Sequence, residues 1–156
     1  MKMDLVQTSR RSFMIKGSAA VAALAVLPNI ISSAHASNGW EDEMSKMFGG
    51  TDATESGVTL TLPEIAENGN TVPFSVSVDS PMTADDHVKS VTIYSTGNPR
   101  PGIATFNFSP EMGVAEASSR MRLGKTQDVV AVAKMSNGDL HMAKTTVKVT
   151  IGGCGG

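Results

Sequence analysis

A single cysteine, Cys154, stands two residues from the end of a 156-residue chain, with two glycines on each side: Gly152-Gly153-Cys154-Gly155-Gly156. A thiolate is the side-chain group that forms and exchanges bonds to another sulfur atom. Glycine has the widest backbone range and no side chain to dock, so the spacing predicts a mobile, solvated arm thin enough to enter a narrow channel. Counted from Ile151, three peptide units carry the Cys154 backbone about 10 Å from the fold. No cation adjoins Cys154 and the terminal carboxylate is near, which places its pKa near or slightly above the free value of about 8.5. Such a thiol is presented but not activated, which suits a carrier better than a catalyst. A lone cysteine also serves as an intermolecular disulfide. Two readings therefore stand at this level, a Cys154–Cys154 dimer or a functional thiol, and the flexible seat favours the second.

The body of the chain offers few other reactive groups. His87 and His141 are the histidines outside the leader, and neither lies in a triad or elbow context. Asp85-Asp86-His87 could begin a metal cluster, but zinc needs three or four placed ligands, and the run reads as a solvated turn. A blue-copper order needs a histidine and a methionine soon after the cysteine, and only two glycines follow. Haem attachment through C-x-x-C-H is impossible with one cysteine. The expectation is a protein with no cofactor, no metal site and no catalytic residues of its own.

The elements that must position the thiol begin after an address. Ser9-Arg10-Arg11-Ser12-Phe13-Met14 fits the twin-arginine export pattern, and Ala34-His35-Ala36 supplies a small-x-small cleavage site. The apolar run between them is about fifteen residues and holds Pro28, too short for a membrane span of roughly 20. Residues 1–36 thus read as a signal removed near Ala36, leaving a periplasmic protein without a membrane anchor. Twin-arginine export also raises the possibility of crossing as a preassembled complex. Without the leader the basic count drops from 13 to 9 and the acidic count from 15 to 14, so the formal charge moves from −2 to about −5. That balance argues against nucleic acid as a partner.

Two periodicities follow. Trp40, Met44, Met47 and Phe48 share a helical stripe between Asn38-Gly39 and Gly49-Gly50 and predict a short N-terminal helix. From Val58 the period becomes two: Val58-Leu60-Leu62, Val72-Phe74-Val76-Val78, Val91-Ile93, Ala104-Phe106-Phe108, Ala115-Ala117 with Met121-Leu123, Val130-Val132, and Thr145-Val147-Val149-Ile151. Asn137-Gly138 predicts a type I′ hairpin turn. The fold class is all-β, an immunoglobulin-like sandwich of about seven strands in one domain, 37–151, followed by the flexible arm 152–156. The run 128–135 is apolar on both parities, so its second face must also be covered, by a partner or by another copy.

The ending Val149-Thr-Ile-Gly-Gly-Cys-Gly-Gly156 resembles the SoxY family of periplasmic sulfur carriers. So do Leu62-Pro-Glu-Ile-Ala-Glu-Asn-Gly69 with Val72-Pro73, the loop Asn98-Pro99-Arg100-Pro101, the run Arg120-Met-Arg-Leu123 and the twin-arginine leader. The resemblance implies an immunoglobulin-like fold and a heterodimer with a separate SoxZ chain, expected on the covered face. It implies Cys154 as the covalent attachment site and Gly152, Gly153, Gly155 and Gly156 as a swinging arm. Thiosulfate would be joined to Cys154 by SoxAX, sulfate released by SoxB, and the remaining sulfur oxidised by SoxCD or passed to storage, the carrier itself catalysing nothing. A disulfide homodimer through Cys154 would be a resting form. Two other classes stay open: a structural or adhesive module dimerised by its cysteine, and a thiol enzyme.

Overall fold

The computed structural model describes residues 38–50 and 52–153. The signal segment and Cys154, Gly155 and Gly156 lie outside them.

A nine-residue helix, α1 (Trp40–Phe48), opens the described chain. Nine strands follow among the described residues: β1 (Ala53–Thr54), β2 (Val58–Thr61), β3 (Ile65–Ala66), β4 (Val72–Val78), β5 (Val88–Ser95), β6 (Gly102–Asn107), β7 (Ala115–Met121), β8 (Gln127–Met135) and β9 (Leu140–Val149). Seven of them have four residues or more, in line with the sequence periodicity. They form two sheets. One runs β1-β9-β8-β5-β6, with β3 also on β9; the other runs β2-β4-β7. The chain pairs with β9 at β1, crosses to the second sheet for β2, and returns to β9 at β3, both contacts being parallel.

The core between the sheets follows the alternation. Val72, Phe74, Val76 and Val78 of β4 face Val91 and Ile93 of β5 and Val129, Ala131 and Ala133 of β8, all buried. Fully burying a Val or Ile side chain contributes about 1.5–3 kcal/mol relative to leaving it exposed, so this layer dominates stability.

The opposite face of the larger sheet is covered by the chain itself, which corrects the expectation of a partner there. Tyr94, Val130, Val132 and Leu140 project from β5, β8 and β9 and are sealed by Trp40, Met44 and Phe48 of α1. These helix residues recur every fourth position and form one stripe. A nine-residue helix is marginal alone, so packing holds it. Met47, expected in the stripe, is half-exposed; its sulfur accepts hydrogen bonds from the Tyr94 hydroxyl at 3.5 Å and from Thr92 Oγ1 at 3.6 Å.

The β8–β9 connection also departs from expectation. Gly138 has φ +98, but Asn137 is not left-handed, and a type I′ turn needs both. Gly138 N–H donates to Met135 O and Met135 N–H to Asp139 O, the pattern of a three-residue loop with a glycine bulge. Asn137 Oδ1 accepts from Asp139 N–H, a side-chain bond that stabilises this alternative.

Burial, with the Glu43 carboxylate nearby as the lesser cause, raises the Tyr94 phenol from 10.0 to about 12. A group whose folded pKa is raised contributes stability that is complete below the unfolded pKa and is lost as pH climbs through the folded one. Tyr94 is the chain's one tyrosine and Trp40, 6.2 Å away ring to ring, its one tryptophan. Ultraviolet titration should therefore show no phenolate near pH 10. Phenolate absorbance should rise towards pH 12, together with a change in Trp40 fluorescence as α1 leaves the sheet. Ionisation near pH 10 with unchanged fluorescence would contradict the packing.

Candidate functional site

The last described residues do not swing free. Three chain segments meet where β9 ends: the turn at 66–71, the loop at 121–127 and the tail at 150–153. Gly69 N–H donates to Ile151 O at 2.7 Å, Leu123 N–H to Gly69 O at 2.8 Å, and Gly153 N–H to Leu123 O at 2.9 Å. Gly153 is buried. Gly153, expected in a solvated arm, is buried and hydrogen-bonded, whereas Gly152 is exposed; the boundary placed after Ile151 falls inside this segment.

Glycine serves this place by thinness rather than by mobility. A Cβ on Gly153 would stand 2.6 Å from Gly69 O, and one on Gly69 would stand 2.7 Å from Gly153 N and run into Leu123 O. A Cβ on Gly152 would strike the Gly124 carbonyl. Backbones approach so closely only where neither carries a side chain. A Cβ on Gly124 would meet nothing nearer than Asn98 Oδ1 at 3.7 Å.

A buried amide pair holds the 121–127 loop in place. Asn98, 3% exposed, donates from Nδ2 to Arg122 O at 2.8 Å and accepts at Oδ1 from Gly124 N–H at 3.0 Å and Gln127 Nε2 at 2.8 Å. Gln127 Nε2 also donates to Lys125 O, and its Oε1 accepts from Gly97 N–H at 2.7 Å. Asn38 Nδ2 donates to Asn98 O at 2.7 Å and Ser95 O at 2.8 Å, tying the start of the described chain to the same loop. Asn38 Oδ1 is buried with no partner.

Cys154, Gly155 and Gly156 lie outside the described residues, so the structure brings together Gly152 and Gly153 alone of the predicted arm. Sequence reading gave Gly69, Asn98 and Leu123 no role in holding the tail and did not single out Gly124 or Gln127. One signal was present: Gln127 shares the parity of Val129, Ala131 and Ala133, and a polar residue on a buried parity needs partners.

The other candidates remain apart. His87 Nδ1 lies 3.1 Å from Thr83 O in the turn that holds Asp85 and Asp86. His141 Nδ1 lies 3.0 Å from Ser56 Oγ on an exposed surface, and among the described residues no carboxylate hydrogen-bonds the ring. No group of three or more His, Cys, Asp or Glu among the described residues could hold a metal ion. No helix among them is long and apolar enough to cross a membrane.

Comparison with known proteins bears on the same stretch. The family model described as sulfur oxidation protein SoxY matches residues 44–154. The sulfur carrier protein SoxY from Chlorobium limicola f thiosulfatophilum matches with 36% identity and a TM-score of 0.61, over 71% of this chain and 96% of that one. A superoxide reductase (neelaredoxin) from Ignicoccus hospitalis, at 19% identity and TM-score 0.54, covers 60% of this chain and 80% of its own. A putative superoxide reductase from Thermotoga maritima, at 15% and 0.51, covers 59% and 84%. These last two share the fold alone. No curated protein matches the chain.

The seat makes opposite demands on neighbouring glycines. Gly69→Ala should cost about 2 kcal/mol or more, because backbone must move, whereas Gly124→Ala should be nearly neutral in thermal unfolding. Gly152→Ala should leave the melting temperature almost unchanged while hydrogen exchange at the Gly153 amide accelerates at least tenfold. Equal tolerance at Gly69 and Gly124 would sink this account of the close approach.

Proposed function

The chain belongs to the SoxY family of sulfur oxidation proteins, and from that premise we propose that it is a covalent carrier of sulfur intermediates, with Cys154 as the attachment site. The observation that carries the reading is where the sole cysteine falls: one residue beyond a backbone seat, at the last position the family match covers. The bond at Gly153 fixes the point from which the chain continues to Cys154.

The chemistry follows from what a thiolate can do. The Cys154 thiolate and thiosulfate lose two electrons to the haem enzyme SoxAX and form an S–S bond, giving Cys–S–S–SO₃⁻. Water attack at SoxB then releases sulfate and two protons and leaves Cys–S–S⁻. SoxCD oxidises that sulfane sulfur, or it passes into storage. Covalent attachment keeps each small anion from diffusing away between enzymes and supplies a high effective concentration at each. Serine would lack the S–S chemistry, and a thioether is inert.

The carrier is exported by the twin-arginine route, works in the periplasm and pairs with SoxZ. The face once assigned to SoxZ is filled by α1, so SoxZ docks elsewhere on the domain. With the root at Gly153, one peptide unit of about 3.8 Å separates the seat from the Cys154 backbone, a shorter reach than an arm rooted at Ile151 would have.

Intact mass spectrometry of protein from cells growing on thiosulfate tests the reading. Reductant-removable sulfur additions are expected on the peptide holding Cys154. Cys154→Ser should abolish both the additions and thiosulfate oxidation while leaving the melting temperature within about 1 °C of wild type, since the substitution exchanges one atom and leaves the Gly153 bond and the buried core residues unaltered. Finding free thiol and plain Cys154–Cys154 dimer alone would overturn the carrier reading in favour of a structural module.

A further inference from the structure

Tyr94 is fully buried and Thr92 is 2% exposed, yet both hydroxyls turn to a sulfur atom. Tyr94 OH donates to Met47 Sδ at 3.5 Å, and Thr92 Oγ1 donates to it at 3.6 Å. Thr105 Oγ1, 3.1 Å from Thr92 Oγ1, can donate to Thr92 and so leave the Thr92 proton for the sulfur. A thioether is a weak acceptor. Two hydroxyls shut away from water therefore share a partner that meets them poorly, where an unmet donor is costly.

Met47 is also open to solvent. Its side chain is 48% exposed, while its donors lie behind it. Met112 is 54% exposed, and its sulfur makes no hydrogen bond among the described residues; the other methionines of the described chain are buried or half-buried. Exposure sets the rate at which a thioether meets peroxide. In that reaction the sulfur lone pair takes one oxygen, the O–O bond breaks, and the second oxygen leaves as water with both protons. Sulfur loses two electrons and the peroxide gains them. The sulfoxide oxygen is a much stronger acceptor than the sulfur that bears it. Elsewhere a polar sulfoxide disrupts packing, but at Met47 the oxygen meets two waiting donors. O–H···O bonds of roughly 2.7–2.8 Å form if the sulfur withdraws about 0.3 Å, which an unbranched, half-exposed side chain allows.

We propose that Met47 is a peroxide-responsive latch, its conversion to the sulfoxide tightening α1 on the larger sheet through the Tyr94 and Thr92 hydroxyls. The helix is the kind of element a latch can act on. It has nine residues, Gly39 offers it no side-chain cap, and Gly39, Gly49 and Gly50 flank it in left-handed conformations, so it depends on what it packs against. Asn38, just ahead of it, bonds Ser95 O and Asn98 O, so a steadier helix also steadies the loop at 95–98. No step involves Cys154, and the latch stands or falls apart from the carrier reading.

The test uses the full mature chain in the Cys154→Ser background, which removes the thiol that peroxide would also oxidise. After brief treatment with hydrogen peroxide, peptide mass mapping reads the sulfoxide at Met47 and Met112, and hydrogen exchange reads the amides of 44–50. Met47 should oxidise within about threefold of the rate of Met112. Chains oxidised at Met47 should exchange those amides about three- to tenfold more slowly than reduced ones, the span of one net hydrogen bond, and the Tyr94 hydroxyl proton should move downfield. Met112→Leu should keep the slowing. Met47→Leu, which preserves volume, should abolish the response to peroxide, and Tyr94→Phe should lose most of it. Resistance of Met47 under conditions that fully oxidise Met112 would overturn the latch, as would exchange that is unchanged or faster once Met47 carries oxygen.

Discussion

Everything at the functional end of this protein depends on three backbones meeting where no side chain fits. Gly69, Leu123 and Gly153 exchange main-chain hydrogen bonds, and the space beside them is filled by carbonyl oxygens rather than methyl groups. A net hydrogen bond contributes only about 0.5–1.5 kcal/mol, so the seat is not strong in itself. Its effect is geometric. It converts the end of β9 from a fraying terminus into a fixed point, and it makes the 66–71 turn and the 121–127 loop parts of the site although neither carries a reactive group.

That fixed point is only as rigid as the loop beneath it, and there the polar interior matters. Asn98 and Gln127 are buried with partners that bind the loop backbone at Arg122, Gly124 and Lys125. Removing either would leave buried loop donors or acceptors unmet, at roughly 1–3 kcal/mol each. The N-terminal segment joins in through Asn38, so the helix that seals the outer face and the loop that holds the tail share one support.

The sandwich was legible in the sequence because a period of two in apolar residues leaves few alternatives, and the helix because Trp40, Met44 and Phe48 recur at four. The doubly apolar run 128–135 correctly announced two covered faces. It could not say what covered them, since Val130 and Val132 look the same beneath a partner or beneath their own chain. The tail was the harder reading. Glycine pairs signal freedom and close approach with the same letters, and only the facing carbonyls of Gly69, Leu123 and Gly124 decide between them. Those partners are roughly 30 to 85 residues away in sequence, so no local pattern could reveal them. Cys154 itself stood out by being the one cysteine.

The route of β9 through its sheet has a mechanical side. The strand is ten residues long, bonded to β8 along most of one edge and touched on the other by β1 near its start and β3 near its end. Because ladder bonds run across a strand, a pull along β9 from its C-terminal end loads them together in shear instead of opening them one by one. A pull on the tail would thus be spread over the longest of the described strands, with the Gly153 bond the first to yield. The seat would give way like a fuse, lengthening the tether while the sandwich behind it stays whole.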